Sequence, residues 1–230
     1  MRYAALILSL VVLGVSGGLH AQPSAAPACL AVVDDLHLEF RSTPALRLAV
    51  GQLLTGLAQD GVYCSVATTR GTEELVAPVS LQTTQAAVSR LIGTALRPSD
   101  VMAASPQSTV EVASRAQAAY AATARAIAAV ARERSGRPFP VFFFSGGYTV
   151  GIAGTNDLVR AALAAGAPVH AIDPRGFGTA SQNPGLAPDD WNAYLTATRA
   201  SLTALAVRTQ GSVVVTEPEF GALQSRFRTQ

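Results

Sequence analysis

The chain has 230 residues, of which 49% are hydrophobic and only 14% charged, and its formal net charge is +2. This composition can build a sizeable core and excludes an extended disordered chain, and the length fits one ordinary domain or two small ones. The net charge is small, and Arg132, Arg134 and Arg137 form the only basic cluster in the sequence. The sequence therefore does not predict the positively charged surface that nucleic-acid binding requires.

The amino terminus predicts export. Arg2 is followed by an apolar or small stretch as far as Leu19, and Ala21 offers a small residue for cleavage. A retained membrane anchor is the alternative, but the apolar core is short for a stable span, so we expect no span after cleavage. The predicted divisions are a signal peptide at residues 1–21, a Pro/Ala linker at 22–28 and one domain at 29–230 in the periplasm or outside the cell.

Strand and helix patterns alternate along this domain. Short apolar runs predict strands at residues 29–33, 62–68, 140–144, 168–172 and 212–216. Apolar residues at three- and four-residue steps, with proline or hydroxyl starts and glycine stops, predict helices at residues 44–59, 84–92, 109–134, 155–165, 189–209 and 218–228. Thr43 is the expected cap of the first of these helices, with Pro44 at its first position. We expect a strand at residues 74–79 to pair antiparallel at an edge, and residues 93–108 to form a long irregular loop. The predicted fold class is therefore α/β, with a doubly wound, mostly parallel sheet, one antiparallel edge strand and helices on both faces.

Two cysteines, Cys29 and Cys64, are the whole complement of the chain. Each lies in or beside a predicted strand, and the two strands should be neighbours. In an oxidising compartment an even pair is typical of a disulfide, whereas two buried thiols packing as small hydrophobes are the alternative.

Five segments, in this order, resemble a von Willebrand factor A (VWA) domain. They are VVDDLHLEF at residues 32–40, DGVYCSVATTRG at 60–71, PFPVFFFSGGYT at 138–149, GAPVHAIDP at 166–174 and LTALAVRTQGSVVV at 202–215. The resemblance covers residues 29–228 and looks closest to the bacterial secreted branch described as VWFA-related. It implies an α/β fold that binds a partner protein through the loops leaving the carboxyl ends of the strands, here called the top face.

In VWA domains a divalent cation is held by an Asp-x-Ser-x-Ser motif after the first strand, a middle-loop threonine and an aspartate after the fourth strand. Its open coordination position accepts a carboxylate of the partner. Asp34 matches the first aspartate, but Leu36 and Leu38 stand at the positions of the two serines. Ser145, Gly146 and Gly147 replace Thr-Asp-Gly, so the second aspartate is missing. The resemblance therefore implies a degenerate metal-ion-dependent adhesion site with no standard metal and no cofactor.

A noncanonical cation site is one alternative. Asp34 and Asp35, together with His37 and Asp173 or with a hydroxyl from Thr94 or Ser99, would be its ligands for Mg²⁺ or Ca²⁺. Against it we expect Asp34 to accept hydrogen bonds from loop amides while Asp35 and His37 point outward.

A small α/β hydrolase is a less favoured alternative, with Ser145, His170 and Asp173 as its catalytic residues. A nucleophile elbow needs glycine two residues before the serine, and Phe143 stands there. We therefore predict that the chain is not an enzyme but a secreted or periplasmic domain that binds an unidentified protein. The candidate top-face residues are Asp34, Asp35, His37, Ser145, Gly146, Gly147 and Asp173.

Overall fold

The structure, a computed structural model, describes residues 28–70, 81–103, 105–149, 155–178, 183 and 185–228. Within these residues five strands form one parallel sheet in the order β2-β1-β3-β4-β5. The strands are Cys29–Val33 (β1), Cys64–Thr68 (β2), Val141–Phe144 (β3), Val169–Ile172 (β4) and Val213–Val214 (β5). The predicted antiparallel edge strand at residues 74–79 and the predicted signal peptide lie outside the described residues.

Seven helices are described, and they alternate with the strands much as the apolar spacing predicted. They are Thr43–Gln59 (α1), Leu81–Arg90 (α2), Pro98–Met102 (α3), Pro106–Glu133 (α4), Thr155–Ala164 (α5), Pro188–Arg208 (α6) and Glu217–Arg228 (α7). The prediction that residues 93–108 are wholly irregular is wrong, because α3 and the first turn of α4 lie within them. None of the helices in the described ranges combines the length and apolar character that a membrane span needs.

The sheet is covered on both faces, which is why its strands are apolar without alternation. Leu30 and Val32 of β1 pack with α4, α5 and α6, whereas Ala31 and Val33 of the same strand pack with α1 and α7. Successive residues of a strand point to opposite faces, so each strand contributes to both cores. The doubly wound α/β class is therefore confirmed.

A disulfide joins the two cysteines. Cys29 and Cys64 are directly paired across the parallel strands β1 and β2, with their Cα atoms 4.3 Å apart. Both residues are buried. The bond therefore ties the first strand, at its amino end, to the next strand of the sheet.

The chain reverses its direction of winding at β1, which has β2 on one side and β3 on the other. At such a switch point the loops leaving the two central strands diverge and open a crevice at the carboxyl edge of the sheet. The loop after β1 carries Asp34, Asp35 and His37, and the loop after β3 carries Ser145 to Gly147. The fold thus brings most of the candidate residues to one crevice.

Candidate binding site at the carboxyl edge of the sheet

Asp34 is the centre of the crevice and is fully buried. Its Oδ1 accepts a hydrogen bond from the Thr69 hydroxyl at 2.9 Å and lies 3.0 Å from His37 Nδ1. Its Oδ2 accepts from the Ser145 hydroxyl at 2.6 Å and from the Tyr148 hydroxyl at 2.7 Å. A carboxylate offers about four lone-pair positions. All four therefore face donors from this chain, one of which, the Thr69 hydroxyl, is shared with Asp35.

The electrostatics of Asp34 follow from this contact set. Burial alone would raise the pKa of the carboxyl, but the charge of His37 and the hydrogen bonds from His37, Ser145 and Tyr148 together lower it below the ordinary value. Burial, followed by the negative charge of Asp34, raises the pKa of Tyr148 well above its usual range. Asp34 is thus an ionised acceptor and the Tyr148 hydroxyl keeps the proton that it donates.

Asp35 lies beside this centre and is held by different partners. Its Oδ1 accepts from the Arg70 amide at 2.9 Å and lies 3.0 Å from the Thr69 hydroxyl, which has a single proton to divide between the two aspartates. The Arg70 guanidinium is 3.4 Å from Oδ2 and is half exposed. Burial raises the pKa of Asp35, and these contacts do not fully offset the effect. Thr94, considered above as a metal ligand, instead donates its hydroxyl to the Asp35 carbonyl at 2.9 Å.

Two sequence-based expectations about this loop are wrong. Asp35 is only 4% exposed and the His37 side chain only 10% exposed, so neither points outward. Asp34 accepts its side-chain hydrogen bonds from three hydroxyls and an imidazole instead of loop amides. The reason is that β2 and β3 flank β1 and deliver Thr69, Ser145 and Tyr148 to the space above it.

The glycines after β3 allow the loop to pass close to its neighbours. A Cβ on Gly146 would collide with the His37 carbonyl oxygen, and one on Gly147, where φ is +74°, would collide with the Thr198 carbonyl oxygen. The Gly147 amide donates to the Ser145 hydroxyl at 3.0 Å, and the Tyr148 amide donates to the Ser201 hydroxyl at 2.8 Å. These bonds fix Tyr148 where its hydroxyl reaches Asp34.

Asp173 forms a second buried centre after β4. Arg175, itself only 1% exposed, makes a two-pronged contact with it through Nε at 2.8 Å and Nη2 at 3.0 Å. Arg199 Nε adds a third contact at 2.7 Å. Arg175 also donates to the Gly146 carbonyl, which links this centre to the loop after β3. Burial would raise the pKa of Asp173, but the two guanidinium groups lower it below its ordinary value.

Arg175 and Arg199 were not among the residues singled out from the sequence. The available signal was a single arginine two residues after the strand-end aspartate, in Asp-Pro-Arg-Gly. The Arg175 guanidinium lies 5.9 Å from the Trp191 ring centre and 5.7 Å from that of Tyr194. The aromatic faces cover the cation, which allows it to be buried.

The top-face candidates are therefore interior residues. Asp34, Ser145 and Asp173 have no exposed surface, and Gly146 and Gly147 are buried. They hold the loops in place and do not themselves offer a surface to a partner. We predicted that these side chains contact a partner directly, and their burial contradicts that prediction.

The residues do not fit a divalent cation. Mg²⁺ needs several oxygen ligands in a near-octahedral cage, and every lone-pair position of Asp34 already faces a donor from the chain, with the Thr69 hydroxyl shared with Asp35. Leu38 is fully buried and Leu36 packs against the core at the positions where hydroxyls would be required. Nowhere in the described ranges are three or more His, Cys, Asp or Glu side chains grouped to hold a metal.

Ser145, His170 and Asp173 do not come together as a catalytic triad. Ser145 donates to Asp34, the His170 Nδ1 lies 2.9 Å from the Ser212 hydroxyl, and Asp173 is bound by arginines. Each of the three therefore has a different partner.

Comparisons of the chain with protein-family models, with curated proteins and with solved structures gave no match. The resemblance to VWA domains accordingly rests on the five sequence segments and stays a prediction.

Proposed function

We propose that this chain is an exported, VWA-like interaction domain that binds a partner protein without a divalent cation and has no enzymatic activity of its own. The observation that carries the proposal is the saturation of Asp34 by four donors of the chain itself. In this position a cation would have to displace buried hydrogen bonds to a charged group, each of which is worth about 1.5–3 kcal/mol.

Exposed apolar side chains in the segments that follow the loop after β1 and the loop after α2 support partner binding. Phe40 and Val110 are each 70% exposed, and Met102 is 41% exposed. Phe40 follows the loop after β1, and the other two lie in α3 and the first turns of α4. The hydrogen bonds of Asp34 and Asp173 fix the loops after β1, β3 and β4, and a preorganised surface loses less entropy on binding. Large exposed apolar side chains on fixed loops are typical of interaction sites.

The disulfide supports export. A bond between Cys29 and Cys64 persists in oxidising compartments and is rare in the cytosol. This agrees with the signal-peptide pattern of residues 1–21.

Affinity capture from the cell-envelope fraction tests the proposal when it is paired with matched variants. Phe40→Glu places a charge on the top face, and Val207→Glu is the control because Val207, near the end of α6, is equally exposed at 71%. We expect the same partner to be recovered by the wild type and by Val207→Glu, to be lost with Phe40→Glu, and to be unaffected by EDTA. Loss of the partner in EDTA, or equal recovery with both variants, would overturn the proposal.

A further inference from the structure

The amino edge of the sheet, opposite the top face, carries a group of arginines that come from two distant segments of the chain. Arg132, Arg134 and Arg137 lie at and just after the end of α4, and Arg226 and Arg228 lie in the last turn of α7. Arg134 is half-buried and the other four are exposed. These five residues are here called the basic edge.

The fold brings the two segments together around the start of β3. The Arg134 guanidinium lies 5.8 Å from the centre of the Phe139 ring and donates to the Pro138 carbonyl at 2.9 Å, in the loop that leads into β3. On the other face of the sheet, the ring of Phe227 in α7 packs edge-on against that of Phe142 in β3, with their centres 5.1 Å apart. The ends of α4 and α7 therefore flank the same edge from opposite faces.

The basic edge has a clear excess of positive charge. The acidic residues beside it within the described ranges are Asp60, whose Oδ2 lies 2.9 Å from Arg228 Nε, and Glu133 in the last turn of α4. Five arginines and two carboxylates leave a net charge of +3 among these residues.

The opposite edge has the opposite charge pattern. The first turns of α5, α6 and α7 lie at the carboxyl edge, and the charged residues in them are all acidic: Asp157, Asp189, Asp190, Glu217 and Glu219. An anionic surface would therefore attract the amino edge and repel these turns, which orients the molecule. Helix dipoles alone do not account for the arginines, because α1 and α5 end without a basic residue in their last turns and Arg137 lies beyond the end of α4.

The chain enters the domain at this same edge. The Ala28 amide donates to the Tyr63 carbonyl at 2.8 Å, and the Leu30 amide donates to the Pro140 carbonyl at 3.1 Å. The predicted linker at residues 22–28 can span at most about 25 Å, so in the precursor the basic edge stays close to the membrane that the predicted signal peptide enters. Tyr63 is 38% exposed beside this entry, and tyrosine is enriched at membrane–water interfaces.

We propose that the basic edge binds the anionic headgroups of a phospholipid membrane, so that the top face points away from the bilayer and toward the partner. Guanidinium groups suit this role because they donate two parallel hydrogen bonds to a phosphate. The choice of a membrane over other polyanions rests on the export that forms part of the proposed function. The contact itself uses no residue of the top face.

Co-sedimentation with lipid vesicles tests the inference, using the processed chain purified from the cell envelope. We expect binding to vesicles of equal parts phosphatidylglycerol and phosphatidylcholine at millimolar lipid and low salt, weakening as salt is added, and none to pure phosphatidylcholine vesicles. Arg132→Gln and Arg226→Gln should each weaken binding about fivefold, and the double variant about 25-fold.

The matched control is the double variant Arg90→Gln and Arg97→Gln, which removes the same charge from the other end of the molecule. Both arginines are exposed, and they flank the segment whose Thr94 and Ala95 amides donate to the loop after β1 at the carboxyl edge. We expect this control to bind the mixed vesicles within about twofold of the wild type, because its charges lie more than a Debye length from the bound membrane.

Equal binding to pure phosphatidylcholine vesicles, or an equal loss in the two double variants, would overturn the inference. A short DNA duplex bound as tightly as the mixed vesicles at the same salt would overturn the choice of a membrane. The outcome is separate from that of the capture experiment. Vesicle binding without a partner that depends on Phe40 would contradict the top-face proposal alone, and a captured partner without vesicle binding would contradict the role of the basic edge alone.

Discussion

Removing the Tyr148 hydroxyl tests whether Asp34 is held as an ionised carboxylate. In Tyr148→Phe the ring stays and keeps its contacts with Tyr120 at 4.7 Å and His37 at 4.2 Å between ring centres. The 2.7 Å hydrogen bond to Asp34 is lost, together with the contact that the hydroxyl makes with Ser145. A buried hydrogen bond to a charged group is worth about 1.5–3 kcal/mol. We expect the free energy of unfolding at pH 7 to fall by about 2 kcal/mol, roughly a 30-fold change in the folding equilibrium.

The pH dependence of this loss has a definite sign. Asp34 has a lowered pKa in the folded protein, so its contribution to stability is present above the ordinary value of 3.8 and disappears as the pH falls through the lowered value. Without the Tyr148 hydroxyl the pKa rises toward the ordinary value. The difference between wild type and Tyr148→Phe should therefore be greatest near neutral pH and shrink in acid.

Urea unfolding followed by fluorescence of Trp191, the single tryptophan, measures this difference. Tyr120→Phe is the matched control, because the buried Tyr120 hydroxyl is hydrogen-bonded to Thr155 and not to a carboxylate. Its smaller loss, about 1 kcal/mol, should not change between neutral and acid pH. The reasoning is refuted if Tyr148→Phe costs no more than Tyr120→Phe and shows no pH dependence.

Three further predictions concern a buried histidine, the disulfide and the loop after β3. Burial, with a smaller effect of the nearby Arg226 charge, lowers the pKa of His170 from 6.5 to about 4, so up to about 3 kcal/mol of stability should be lost as the pH falls through this window. In urea titrations His170→Gln should abolish that loss, and an unchanged pH profile would refute the assignment. Replacing both Cys29 and Cys64 with alanine should lower the free energy of unfolding by about 4 kcal/mol, given the 35-residue separation. Thermal unfolding that is the same with and without reductant would contradict this. Gly147→Ala should cost at least about 2 kcal/mol because of the backbone collision, whereas Gly221→Ala, with open space in α7, should be neutral or stabilising by up to about 1 kcal/mol. Equal stabilities of these two variants would show that the loop after β3 is not tightly packed.

The strands and helices could be predicted because their signals are local. Uninterrupted apolar runs mark strands covered on both faces, and β1 and the start of α5 were placed at their observed residues. The helix α3 was missed because its five residues are too few to show a periodic pattern. Thr43 was expected to cap α1, but it lies inside the helix, and its hydroxyl accepts from the Gly93 amide, 50 residues away in sequence. Such a partner leaves no local signal.

The site could be predicted in composition but not in arrangement. That Leu36 and Leu38 offer no oxygen to a metal could be read from their residue types. The hydrogen-bond donors that surround Asp34 could not be read from the sequence. The Ser145 and Tyr148 hydroxyls lie 111 and 114 residues away along the chain and meet Asp34 only once β3 lies beside β1. The orientation of His37 likewise depends on Tyr148 and on the Gly146 loop that packs against its carbonyl.

Calorimetric titration with Mg²⁺, Mn²⁺ and Ca²⁺ tests the central claim most directly. Asp34 accepts four hydrogen bonds from the chain, so we predict no saturable heat of binding for the wild type and no change in its melting temperature with any of the three ions. One-to-one binding that disappears in Asp34→Ala would contradict the account, because it would show that the carboxylate exchanges its buried hydroxyl donors for a cation.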